Sequence, residues 1–185
     1  MPDPEPVSTV RPPVEDGSVL LPDAAATESA GRALGRALEK MLGPRHASSA
    51  LVVGLAGGLG AGKTTLARAA LRELGVAGTV RSPTYTIAEP YDTRIGRIWH
   101  LDLYRIADPD ELEFIALRDL IPDSVACLVE WPERGRGGLP EPDCLVILAA
   151  DGPARRLRIE PRTVPGAAVG SGVRASTGLE SLDSG

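Results

Sequence analysis

The chain has 185 residues, a formal net charge of −5 and two cysteines, Cys127 and Cys144. That length holds one domain with loose ends and a core large enough to need no disulfide staples. The acidic balance argues against a general nucleic-acid coat and direct DNA binding, no apolar run reaches membrane-span length, and the acidic, Pro-rich N-terminus does not read as a signal peptide; a cytoplasmic protein without membrane association is expected.

Residues 1–16 carry five prolines and several acids and are expected to be a disordered leader. A single domain is expected over 17–163. It opens with a short edge strand at Ser18–Leu21. Asp23 or Thr27 can then cap a helix whose apolar face is Ala30, Leu34, Leu38 and Met41, and Gly43-Pro44 ends it. Leu51–Ala56 is short and apolar, the pattern of a parallel strand covered on both faces.

The stretch that follows, Gly57–Thr64, reads G-x-x-x-x-G-K-T. Leu66, Ala67, Ala70, Leu71 and Leu74 then recur at helical spacing, with Gly75 as a C-cap. Strand, glycine loop and helix form the context that a phosphate-binding loop requires. Its glycines let successive N–H groups turn toward phosphate oxygens, and the helix N-terminus adds partial positive charge. Gly58, Leu59, Gly60, Ala61, Gly62, Lys63, Thr64 and Thr65 are therefore expected to hold a nucleoside triphosphate, ATP or ADP, with Mg²⁺. Lys63 is expected at the β- and γ-phosphates, the Thr64 hydroxyl at Mg²⁺ and Thr65 at an α-phosphate.

Thr79–Thr86 is hydroxyl-rich and punctuated by Pro83. It reads either as a surface loop or, coming next after the phosphate-loop helix, as a switch that senses the γ-phosphate. Ile87–Tyr91 and Arg97–Tyr104 flank a loop of about five residues, Asp92–Gly96, as a β-hairpin. On its second strand His100, Asp102 and Tyr104 share one face, and Trp99, Leu101 and Leu103 the other. An acid on a core-directed strand needs a cation or metal, which makes Asp102 a metal candidate; the alternative is a strand-end acid on a solvated edge. His100 has no partner motif and reads as a structural or surface residue.

Asp108-Pro109-Asp110-Glu111 has the form of a capping box, before a helix with Leu112, Ile115, Ala116 and Leu120 inward. Val125–Val129 is a buried strand closed by Glu130-Trp131-Pro132-Glu133. Acids at the C-terminal end of such a strand face the ligand crevice of an open α/β sheet. Glu130 can orient or deprotonate the attacking water or hold Mg²⁺ through water; the alternative is a strand-capping acid beside a packed Trp131. Cys144–Leu148 and Arg156–Glu160 form a second hairpin around Asp151-Gly152-Pro153. Residues 164–185 are rich in Gly, Ser and Ala and are expected to be a disordered tail.

Five separated segments resemble the TsaE family of small bacterial P-loop ATPases. They are Leu59–Thr65, Arg81–Thr86, Leu101–Arg105, Glu111–Glu113 and Leu128–Glu133, and the likeness spans roughly residues 18–162. It implies an α/β fold with a central parallel sheet flanked by antiparallel hairpins and helices on both faces. It implies Mg²⁺-dependent ATP hydrolysis, weak in isolation, that serves formation of N6-threonylcarbamoyladenosine at position 37 of tRNA. The implied partners are the transferase subunits TsaD and TsaB, with tRNA met only through them. The likeness also implies that Lys63 acts on the phosphates, that Thr64 and Glu130 lie at the metal with Asp102 near it as a Walker-B-like acid, and that Ser82, Pro83, Thr84, Tyr85 and Thr86 form a switch. Tyr85 and Trp131 are the expected partner contacts. One position departs from the family pattern: Gly58 stands where an acid is expected. The alternative function is a small-molecule or nucleoside kinase with Arg134 and Arg136 in its lid, and a third is a nucleotide-regulated binding module without turnover. Arg155 is the candidate for a base contact.

Overall fold

The computed structural model describes residues 17–43, 49–108, 111, 121–122 and 124–177, so the expected leader and residues 178–185 lie outside the described residues. The uninterrupted apolar run of β2 (Leu51–Ala56) is explained by its place: it is buried along almost its whole length at the middle of the sheet. It pairs in parallel with β5 (Ala126–Glu130) on one side and β6 (Cys144–Asp151) on the other. β4 (Gly96–Asp102) pairs in parallel with β5. Antiparallel strands finish both edges: β3 (Ala88–Thr93) on β4, then β7 (Ala154–Pro161) on β6 and β1 (Val19–Leu21) on β7. The order is β1-β7-β6-β2-β5-β4-β3. This is the α/β architecture expected, a parallel centre with antiparallel flanks.

Period-two alternation divides the core into two layers. Leu51, Val53 and Leu55 of β2, with Ala126 and Leu128 of β5, pack under α1 (Ala24–Leu42) and α2 (Lys63–Glu73). Val52, Cys127 and Val129 point the other way, toward Leu101, Leu103, Ile106 and Ile121. The helix expected after Asp108, with Leu112, Ile115, Ala116 and Leu120 inward, lies over 112–120, outside the described residues. Its expected cap is present where described: the Glu111 carboxylate accepts from the N–H groups of Ala107 and Asp108.

α1 fixes the direction of α2, and it does so through glycines. A Cβ on Gly31 would sit against the Leu66 carbonyl and 2.6 Å from Ala69 Cβ, and one on Gly35 would lie 2.7 Å from the Ala70 carbonyl oxygen. The two helices approach to backbone contact, which holds the N-terminus of α2 against the end of β2. Asp23 caps α1, accepting from the Ala26 N–H at 2.7 Å, so of the two expected caps Asp23 fills the role.

Three expectations are corrected. The stretch after 163 is not a disordered tail over its first part: Val164–Thr177 forms α3, with Val169 and Val173 buried in the core layer under α1. The domain therefore extends beyond 163. The small residues that suggested disorder are what let this helix lie close, since a Cβ on Gly166 would run into the Asp143 carbonyl and one on Gly172 would lie 2.9 Å from Ala37 Cβ. The β3–β4 loop is not five residues but a turn at Arg94-Ile95, because Thr93 and Gly96 still pair and the Thr93 hydroxyl donates to the Gly96 carbonyl. β4 ends at Asp102 rather than Tyr104, where the Tyr104 N–H folds back onto the Asp102 carboxylate.

Cys127 and Cys144 are both buried free thiols, and burial pushes them up to about 11 and about 12. Among the described residues no helix is long and apolar enough to cross a membrane.

Candidate functional site

β2 ends at Ala56 and α2 begins at Lys63, and the loop between them turns on three glycines with positive φ: Gly57 at 141°, Gly60 at 74° and Gly62 at 104°. Gly57 is fixed by space as well, because a Cβ there would collide with the Leu148 carbonyl of β6. Gly58 is different. A Cβ there meets nothing within 4 Å, so the loop has room for the acid expected at this position. The first-turn N–H groups of α2 have no helical acceptors and stand at the loop's mouth, where the helix dipole favours an anion.

Lys63 lies back across this loop, 4% exposed, with Nζ donating to the Gly57 and Gly58 carbonyls at 2.7 and 2.8 Å. The same ammonium sits 3.8 Å from the centroid of the Trp131 ring. Burial draws its pKa below the ordinary lysine value, against the opposing pull of Glu130, Asp102 and Glu133.

The C-terminal ends of β4 and β5 bring the acids to the loop. Asp102 and Glu130 are register partners on adjacent parallel strands, and Leu55, just before the loop, pairs with Glu130. Both carboxylates are nearly closed to solvent, Glu130 at 2% and Asp102 at 5%. The Thr64 hydroxyl donates to Glu130 Oε2 at 2.9 Å, and His100 Nε2 lies 2.9 Å from Glu130 Oε1. The structure thus brings Lys63, Thr64 and Glu130 together, with Asp102 on the neighbouring strand. His100 proves to be wholly buried rather than at the surface.

The segment from Ser82 to Thr86 is tied to Asp102. The Ser82 and Thr84 hydroxyls are 2.8 Å apart, and Thr84 Oγ1 donates to Asp102 Oδ2 at 2.8 Å. The other Asp102 oxygen accepts from the Tyr104 N–H at 3.0 Å. Immediately after the segment, Ile87 takes φ of 66°, which a β-branched residue adopts only under constraint, at a cost of about 1–3 kcal/mol. Its N–H donates to the Pro83 carbonyl and its carbonyl accepts from the Asp102 N–H. The segment's backbone is therefore latched to the strand that carries Asp102.

Aromatic residues frame this end of the sheet. Trp131, also at positive φ (57°), packs its ring 5.1 Å from that of Tyr104, and the Arg134 guanidinium lies over both. Tyr85 is 83% exposed, with the Arg105 guanidinium 4.5 Å from its centroid. Arg155 and Thr27 reach the loop from the far side: a Cβ on Gly62 would lie 3.6 Å from Arg155 Nε and 3.2 Å from Thr27 Cγ2. A cavity of about 170 Å³ between Pro132, Leu139 and Leu145 contains none of the loop residues.

Comparison with known proteins gives the family and the fold. The family model described as threonylcarbamoyl adenosine biosynthesis protein TsaE matches residues 21–157. The chain belongs to the TsaE family. Proteins named tRNA threonylcarbamoyladenosine biosynthesis protein TsaE are similar to it in Haemophilus influenzae, 45% identical over 70% of this chain and 82% of that one, and in Aquifex aeolicus, 41% identical over 58% and 75%. The crystal structure of Bacillus subtilis YdiB shares the fold, with a TM-score of 0.66 and 20% identity over 85% of this chain and 93% of that one. Membership of the TsaE family makes this a P-loop nucleotide-binding protein of threonylcarbamoyladenosine biosynthesis.

Sequence reasoning did not find the bond between His100 and Glu130 or the hydroxyl path from Ser82 to Asp102. The period-two pattern put His100 and Asp102 on one face, but the partners lie on other elements: the β4–β5 register brings Glu130 to His100, and the backbone bonds of Ile87 bring Thr84 to Asp102.

Proposed function

We propose that this TsaE-family protein hydrolyses ATP with Mg²⁺ in the cytoplasm and, through that cycle, supports tRNA threonylcarbamoyladenosine formation by engaging the subunits TsaD and TsaB. The observation that carries the reading is the Thr64–Glu130 hydrogen bond. A hydroxyl that gives its proton to a buried carboxylate keeps its oxygen lone pairs for a cation, beside a loop built for phosphate. Among the described residues no three His, Cys, Asp or Glu form a metal cage. Mg²⁺ does not require one, because it is held by one or two carboxylates together with phosphate oxygens and water.

Magnesium, when bound, would neutralise charge on the β- and γ-phosphates. Lys63 would exchange the Gly57 and Gly58 carbonyls for phosphate oxygens. Thr64 and Glu130 would hold the metal side of the site, and Glu130 would orient the attacking water. Asp102 would act at the metal through water while its other contacts connect it to Thr84. Loss of the γ-phosphate would then be felt along Thr84, Ser82 and the exposed Tyr85, where a partner can read it. The kinase alternative asks for a mobile arginine lid, whereas Arg134 is held by the Ile106 carbonyl at 2.9 Å and by two aromatic rings.

The test is ADP formation with Mg²⁺, with and without purified TsaD and TsaB, together with partner binding in the ATP-analogue and ADP states. Slow turnover that rises with the partners, and tighter partner binding in the ATP-analogue state, are expected. No turnover under any of these conditions would refute the ATPase, and equal partner affinity in both states would refute the switch.

A further inference from the structure

We infer that His100 is a positioning residue that sets the Glu130 carboxylate for the metal. The inference rests on the ATPase reading above and concerns a residue that touches neither phosphate nor metal. His100 Nε2 stands 2.9 Å from Glu130 Oε1 while Thr64 Oγ1 stands 2.9 Å from Oε2, so each carboxylate oxygen has its own neighbour. The imidazole is wholly buried, and its Nδ1 is buried with no hydrogen-bond partner among the described residues.

That asymmetry assigns the proton. A hydrogen on Nδ1 would be a buried donor with no acceptor, and it would turn the Nε2 lone pair against a carboxylate. With the hydrogen on Nε2 the ring donates to Oε1, and only a lone pair on Nδ1 is unmet. Glu130 then accepts two donors, one on each oxygen, which fixes the plane of the carboxylate and the direction of its remaining lone pairs. The strand register explains the approach. His100 lies opposite Leu128, two residues before Glu130, so the ring reaches the carboxylate from the sheet while Thr64 meets its other oxygen from the loop. A buried donor that orients a ligating group in this way commonly contributes about 10–100-fold to metal affinity.

Three substitutions separate positioning from packing. Glutamine places an amide N–H where Nε2 stands. Methionine has the same reach and no donor. Asparagine places its amide nearer the position of Nδ1. Calorimetry with a non-hydrolysable ATP analogue, with and without Mg²⁺, gives the metal-dependent tightening for each protein without relying on turnover. His100→Gln is expected to keep that tightening within about threefold of the native value, and His100→Met and His100→Asn to lose it by about tenfold or more. Metal-free analogue affinity should be alike in all four proteins. If the Met variant does not fold, the Asn variant supplies the same contrast. Tightening in Met or Asn as large as in Gln overturns the inference and leaves the ATPase intact. A native protein with no metal-dependent tightening overturns the metal assignment, and this inference with it.

Discussion

The helix-covered face of β4 and β5 has two halves with the same backbone and opposite chemistry. Toward the N-terminal ends it presents Ile98 and Ala126, and Leu128 continues this apolar surface on β5 beside His100; all three are fully buried. Toward the C-terminal ends the same alternation presents His100, Asp102 and Glu130, equally closed to solvent. Burial does not distinguish the halves; what surrounds the side chains does. The apolar half contributes area removed from water, whereas the carboxylates of the other half are each met by partners: the Thr64 hydroxyl and the His100 ring at Glu130, the Thr84 hydroxyl and the Tyr104 N–H at Asp102. On the function proposed above, the polar half serves a ligand at the expense of the apolar contact it displaces.

The sharpest way to break this comparison is Lys63→Ala. It should remove hydrolysis, by about 10²–10³-fold or more, because charge stabilisation at the phosphates is lost. Circular dichroism should show the fold retained. A variant that still turns over ATP would mean that the lysine lies across the loop for structure alone. Leu128→Ala tests the apolar half in the opposite sense. A cavity in the layer under α2 should cost about 2–5 kcal/mol in denaturant unfolding. Nucleotide affinity of the folded protein should change little, and a large change would show the halves to be mechanically one.

Val173→Ala asks whether α3 is part of the apolar layer. A loss of about 1–3 kcal/mol is expected, read as a lower urea midpoint. No change would return the helix to the status of a tail. The smallest effect is expected for Gly58→Asp, within about 0.5 kcal/mol of the native stability, since the site is open to solvent and free of positive φ. A clear loss of nucleotide affinity there would show that glycine was selected at the mouth of the loop.

These contrasts also explain what could be read from the sequence. The loop, its strand and its helix were legible because every cause is local: glycines at turning points, an apolar run before them and helical spacing after. The flanking hairpins were legible for the same reason, apart from the length of the β3–β4 turn. α3 was not. The apolar residues of Val164–Thr177 are all small, Val and Ala, and Gly166 and Gly172 signal flexibility until the close surfaces of Asp143 and Ala37 are in place. Thr163 gives the start of that helix a cap, accepting from the Gly166 N–H while donating to Asp143, and Asp143 in turn accepts from the Val52 N–H. No local pattern announces that chain of contacts. The pairing of His100 with Glu130 was hidden likewise, since it depends on the parallel register of β4 and β5 and not on spacing along either strand.

The central claim is that Thr64 and the buried Glu130 hold the metal at the phosphate loop. The most direct test is the rate of ADP formation against Mg²⁺ concentration, with TsaD and TsaB present, for the native protein and for Glu130→Gln. Glutamine keeps the size of the side chain and removes the charge. The account predicts a lower maximal rate and a half-maximal Mg²⁺ concentration raised by about tenfold or more. Superimposable curves for the two proteins would contradict it.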